Sequence, residues 1–298
     1  MKIKKLLSVT IRIVAVILAM LFSFIIASGI ANPQASAQSA SQTPEEAAQV
    51  GIALLVVSII NALLLAIPII HSRWHGLKLM GAIALVFFGT QTFMSQIETL
   101  FFESAFDIPG EVMKRIILSG FLTALFFAPL AVLILGKVQK SNLDEKPSPS
   151  IALSLRGWGI RLTVLPFVYI ALYFLFGYYI AWQSPDVRML YSGTTEMLSF
   201  YEQMRVTFQN SPGIIPFQLL RGLVWIGLAL PILRLMKGSV FVKSLTIGLL
   251  FGLLLTTQLL FPNPYMQEPV RLAHFIETST STFLYGWLIG QVFTSPKE

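Results

Sequence analysis

Arg271-Leu272-Ala273-His274-Phe275-Ile276-Glu277-Thr278-Ser279-Thr280-Ser281-Thr282-Phe283 opens the last apolar segment of the chain. It sets a cation, an imidazole, a carboxylate and a ladder of hydroxyls where a lipid-facing helix would carry hydrocarbon. His274, Glu277, Ser281 and Tyr285 recur three and four residues apart, so a helix places them on one face. If the segment crosses a bilayer, that face must meet polar groups on other helices, because an unpartnered charge at mid-membrane costs about 2.5–3.5 kcal/mol. The rest of the chain decides whether it crosses.

Of 298 residues, 55% are hydrophobic and 12% charged, and the mean hydropathy is +0.74. Soluble domains carry about 25% charged residues. Apolar runs of about twenty residues recur throughout, the length that spans a bilayer core. No polar stretch is long enough for a separate soluble core. The expected fold is an all-α polytopic membrane bundle, with spans at 6–30, 50–70, 79–102, 114–135, 162–182, 214–233, 245–261 and 270–292. The count is eight, or seven if residues 1–37 are a cleaved signal peptide: Ala35-Ser36-Ala37 has the small-residue pattern of a cleavage site, while the apolar run before it exceeds the usual signal core.

Charge placement orients the threading. Only Lys114, Arg115, Arg188, Arg205, Arg221 and Arg271 of the 21 lysines and arginines fall in outer loops or outer half-spans. The remainder fall inside, as the positive-inside rule asks. A multi-pass protein of a bacterial cytoplasmic membrane, with both termini in the cytosol, is expected. The net charge of +7 therefore reflects orientation and not nucleic-acid binding.

Local signals place several elements. Thr43-Pro44-Glu45-Glu46 combines a cap residue, proline at the first helical position and glutamate at the third, a helix start. Within 183–213, Met197, Tyr201, Met204 and Phe208 recur at helical spacing, which predicts an amphipathic surface helix. Tyr169, Tyr173, Tyr178, Tyr179 and Trp182 resemble an interfacial aromatic belt.

The two halves, 1–140 and 141–298, echo each other in one membrane domain. Leu65-Ala66-Ile67-Pro68-Ile69-Ile70 matches Leu228-Ala229-Leu230-Pro231-Ile232-Leu233. A basic turn follows each, then an oily span ending in Thr90-Gln91 or Thr257-Gln258. Four spans per half would make the repeats parallel, related by an axis along the membrane normal.

Arg221 and Glu277 each lie seven residues into their expected spans, about 10 Å deep at 1.5 Å per residue. Equal depth predicts that they pair, with Glu98 as second candidate. Gln91, Ser95 and Glu98 fall at i, i+4 and i+7 and would share a face. Arg221, Glu277, His274, Arg271, Gln91, Ser95, Glu98, Gln258 and Ser281 are the candidate binding residues of an outward polar pocket for a small polar or anionic solute. This is a transporter reading.

A membrane enzyme acting on a lipid-linked substrate is the alternative, with His274 as general base and Glu277 or Glu98 orienting it. A subunit meeting a membrane-protein partner is the third. Cysteine is absent, which excludes thiolate nucleophiles and cysteine-ligated metal. His71 and His75 stand at i, i+4 without a carboxylate beside them, so no metal and no cofactor is assigned.

Overall fold

The computed structural model describes residues 2–33, 43–102, 108–139 and 154–294, without the side chains of 2–6. Ala35–Ala37, the acidic Glu103 and Asp107, the 140/141 boundary and Lys297 lie outside these residues.

Among the described residues the structure is helical throughout, apart from one isolated bridge between two turns. The helices are α1 (Lys2–Ala31), α2 (Pro44–Ile70), α3 (Gly76–Phe101), α4 (Gly110–Ile134), α5 (Leu155–Tyr179), α6 (Pro185–Ser192), α7 (Phe200–Asn210), α8 (Ile214–Leu235), α9 (Val240–Leu260) and α10 (Glu268–Thr294). Seven of them are long and apolar enough to cross a membrane: α1 to α5, α8 and α9. The chain is an all-α polytopic helical bundle. The eighth expected span, α10, has 27 residues, ample length for a bilayer core. Its hydroxyls and charges keep it out of the apolar seven, and it is packed against α5, α8 and α9.

Helix starts follow their caps. The Thr43 hydroxyl accepts from the Glu46 N–H, and the Glu46 carboxylate accepts from the Thr43 N–H at 2.8 Å. Ser199 and Glu202 repeat this box at the start of α7, the predicted amphipathic helix. Gly193, at φ +70°, ends α6 in the left-handed conformation that favours glycine.

α1 packs on α4 and α2, and α5 packs on α8 and α10. The two sets meet where α3 touches α8 and α2 touches α9. Here the turns that follow the matched stretches come together. The turns after α2 and α8 form the antiparallel bridge Ser72 to Met236. Arg73 N–H donates to Leu235 O at 2.8 Å, and Lys237 N–H donates to His71 O at 2.8 Å. Each of the following helices contains a π turn, Phe88–Phe93 in α3 and Leu250–Leu254 in α9. Leu65, Ile69, Ile83, Phe87, Phe127, Trp225 and Phe251 fill the core beneath.

α9 and α10 approach through paired Gly-x-x-x-Gly motifs, Gly248/Gly252 and Gly286/Gly290. A methyl group on Gly290 would stand 2.4 Å from Ser244 Cα, and one on Gly252 would stand 2.6 Å from Ser279 O. Only hydrogen fits at these positions, and the backbones pack as small-residue motifs allow between membrane helices.

Candidate functional site

α8 starts at the end of the bundle away from the Ser72–Met236 turns, and α3 finishes there. Arg221 sits two turns into α8 and is 1% exposed; Glu98, near the end of α3, is 30% exposed. Their pairing is a fork: Nη1 donates to Oε1 at 2.8 Å and Nη2 to Oε2 at 2.7 Å. Nη1 also donates to Gln218 Oε1 at 3.1 Å. The guanidinium lies over the rings of Tyr169 and Phe217, 5.8 and 5.7 Å from their centroids. Two buried donors beside the fork, Arg221 Nε and Gln218 Nε2, have no acceptor among the described residues.

The expected Arg221–Glu277 pair is thus replaced by Arg221–Glu98, and the reason is directional. A helical side chain leans toward the N-terminus of its own helix. α8 and α10 run the same way, so Arg221 and Glu277 lean in parallel. α3 runs oppositely, so Glu98 leans down into the bundle as Arg221 leans up out of it. α10 also begins at Glu268, which sets Glu277 nine residues in, about 14 Å at 1.5 Å per residue, below Arg221.

Glu277 organises a second group. Its carboxylate accepts from Thr278 Oγ1 at 2.7 Å and Ser281 Oγ at 3.4 Å, and lies 3.6 Å from His274 Nδ1. His274 Nε2 is 3.2 Å from the Tyr191 hydroxyl of α6. Burial pushes the Tyr191 phenol well above its ordinary value, and the negative charges of Glu98 and Glu277 push the same way. The phenol therefore stays neutral in its hydrogen bond with Nε2, and Nδ1 is the ring nitrogen that faces Glu277.

The two groups lie at the same end of the bundle. An aromatic collar joins them: Phe101 stacks on Phe217 at 4.1 Å, and Phe102 meets Tyr191 edge-on at 6.0 Å. Tyr285 continues the α10 face inward and donates to Gly222 O at 3.0 Å. Tyr169, expected in the interfacial belt, turns inward beneath the guanidinium instead, while Tyr178 and Tyr179 stay at the end of α5 against Phe200.

Other expected residues lie elsewhere. Arg271 donates to the carbonyls of Leu259 and Phe261, so it caps the C-terminal end of α9, where a cation is favoured. Gln91 does not share the face of Glu98, because the π turn between them breaks the helical register. Gln91 Nε2 donates to Thr257 Oγ1 at 2.8 Å and Leu254 O at 3.2 Å, and Thr257 Oγ1 donates to Asn61 Oδ1 at 2.9 Å. This is a separate buried knot of α2, α3 and α9. Ser95 Oγ accepts from Gln96 Nε2 at 3.3 Å. Gln258 is half-buried in the last turn of α9.

Gln218, Tyr169, Tyr191, Asn61 and Thr257 were not among the expected site residues. Gln218 was legible as the i−3 neighbour of Arg221. Tyr191 was not, because it reaches the site from a short helix outside the spans.

Comparison with protein-family models, with curated proteins and with solved structures finds no match to this chain.

Proposed function

We propose that the protein is a small-solute permease of a bacterial cytoplasmic membrane, with its substrate pocket at the Arg221–Glu98 fork. The fork's two unpaired donors carry this reading. Arg221 Nε and Gln218 Nε2 are buried with no acceptor among the described residues, and a buried donor left unpaired costs about 1–3 kcal/mol. A carboxylate or carbonyl on a small solute satisfies both while Glu98 holds the guanidinium in place. His274 and Glu277 supply a proton-exchanging pair beside it. The basic turns around Ser72 and Met236 support a cytosolic position for their own end of the bundle by the positive-inside rule, which favours an outward-facing pocket at the other.

Two further features favour movement over a static scaffold. The π turns of α3 and α9 lie below the pocket, and π turns cluster at functional sites. Proline lies inside α2, α5 and α8, which permits bending. The sequence echo between 1–140 and 141–298 supports the reading as well, since parallel-repeat transporters bind substrate at the repeat interface.

The test is flux in proteoliposomes, with a panel of labelled amino acids and small carboxylic acids. Wild type moves at least one of them; Arg221→Leu inserts normally and moves none. Normal flux through Arg221→Leu sinks the reading. The Tyr191–His274–Glu277 line favours a second reading, an enzyme on a lipid-linked substrate with His274 as base. In that case no solute moves, and His274→Ala abolishes turnover with binding retained.

A further inference from the structure

The Arg221–Glu98 fork is uneven. Its guanidinium is 1% exposed and its carboxylate 30% exposed, so the side that meets solvent is the negative one. The rings above it have the same preference. Phe101 and Phe102 lie three and four residues beyond Glu98, on its face and toward the open end of the bundle. Phe217, four residues before Arg221 on α8, stacks on Phe101 at 4.1 Å. Phe102 meets Tyr191 edge-on at 6.0 Å. Aromatic faces attract cations. An entering solute therefore meets aromatic rings and a carboxylate before it meets the guanidinium.

A solute carrying only a carboxylate fits that approach poorly. The fork is a pair without net charge, and Glu277 sets a second carboxylate at the same end, held by Thr278, Ser281 and His274. The other buried cations of this end are committed to backbone: Arg188 donates to Trp182 O and Thr195 O, and Arg271 to Leu259 O and Phe261 O. A lone anion would bring negative charge that nothing at the fork balances, and charge taken out of water without a partner is costly. A lone cation fares no better. It leaves Arg221 Nε and Gln218 Nε2 buried without an acceptor. The solute has to bring an acceptor for those donors and a positive charge for Glu98 together.

We infer that the pocket takes a zwitterion of the α-amino acid type, its carboxylate on Arg221 Nε and Gln218 Nε2 and its ammonium on the outer side of Glu98. The inference rests on the permease reading of this pocket and narrows its substrate class. Each Glu98 oxygen accepts one bond from Arg221, at 2.8 and 2.7 Å, and keeps a second lone pair for the ammonium. The two recognition points stand close, because Nε belongs to the same guanidinium whose Nη atoms Glu98 holds. An ammonium and a carboxylate on one carbon match that spacing, and the ends of a long ω-amino acid do not. Glu98 is thereby the residue that sets specificity, and Arg221 the anchor.

Melting temperature of the purified full chain in a neutral detergent tests it, titrated with matched compounds. Alanine, leucine and phenylalanine are each compared with the same molecule lacking its amino group and with the same molecule lacking its carboxyl group; 4-aminobutyrate separates the charges. At least one amino acid raises the melting temperature by several degrees. Its two truncated partners and 4-aminobutyrate act at least about tenfold more weakly, the factor that a hydrogen bond to a charged group commands. Glu98→Gln keeps an oxygen for the guanidinium but loses the charge, so it narrows the gap between the amino acid and its deaminated partner. If Glu98→Gln does not fold, the comparison in wild type decides alone. A deaminated acid as effective as its amino acid overturns the zwitterion and leaves the permease reading standing with an acid as its solute. An amine as effective as its amino acid overturns it from the other side. No shift with any compound overturns it as well, and the permease reading then stands or falls on the flux of Arg221→Leu.

Discussion

Arg221 on α8 and Glu98 on α3 meet because their helices run in opposite directions, so one side chain leans out of the bundle and the other leans in. The fork closes at 2.7 and 2.8 Å, with the guanidinium buried and the carboxylate part-exposed. Arg221 is thus held with its Nη atoms committed and its Nε without an acceptor among the described residues.

Glu98→Ala strands a guanidinium that is 1% exposed. Breaking a buried pair by removing one partner costs about 3–5 kcal/mol, whereas replacing both partners with apolar residues is far milder. Glu98→Ala is therefore expected to lose stability by that amount and Glu98→Leu/Arg221→Leu by much less. Thermal unfolding of the single and double variants measures the difference. A double variant as damaged as the sum of the singles would mean the two groups are not coupled.

The α9–α10 contact is expected to be the least forgiving apolar interface. Gly290→Ala drives a methyl against the Ser244 backbone, and backbone cannot rotate away as a side chain can. Overpacking of this kind costs about 1–3 kcal/mol. Gly227→Ala is the control, since no atom lies within 4 Å of its added methyl. A lowered melting temperature for the first and an unchanged one for the second is the expected pair of results.

The spans, the capped start of α2 and the amphipathic α7 were legible because each depends on local pattern alone. Two turns matched by their Pro68 and Pro231 stretches were also legible, and they touch. The first choice of partner for Arg221, Glu277, was not, and Glu98, the second candidate, is the one it meets. Depth along a helix can be counted from sequence, but lean depends on which neighbour runs antiparallel. Gln91 was misplaced for a similar reason: nothing in Phe88-Gly89-Thr90-Gln91-Thr92-Phe93 announces a π turn, yet that turn separates its face from that of Glu98.

Thr257 both donates and accepts in the α2–α3–α9 knot, so Thr257→Val removes two hydrogen bonds at once. Interhelical hydrogen bonds in membranes average about 0.6 kcal/mol and reach about 1.7 kcal/mol. A loss within that range is expected for Thr257→Val and for Gln91→Leu. The double variant should lose less than the sum, because the two side chains share the 2.8 Å bond. Unfolding in mixed micelles resolves the cycle, and strict additivity would count against a shared knot.

Tyr191 tests whether the phenol beside His274 stays protonated. Burial, then the charges of Glu98 and Glu277, hold its phenol above the ordinary value of about 10. The unfolded chain therefore gives up this proton first as pH rises. The stability contributed by the raised phenol is complete below pH about 10 and falls away as pH climbs above it. Wild type minus Tyr191→Phe should show no tyrosinate absorbance until well above that value, and their stability gap should stay constant from neutral pH up to it. The phenol is then uncharged in its hydrogen bond with His274 Nε2. A tyrosinate signal from Tyr191 at or below pH about 10 would mean that the phenol is not held by burial and the two carboxylates.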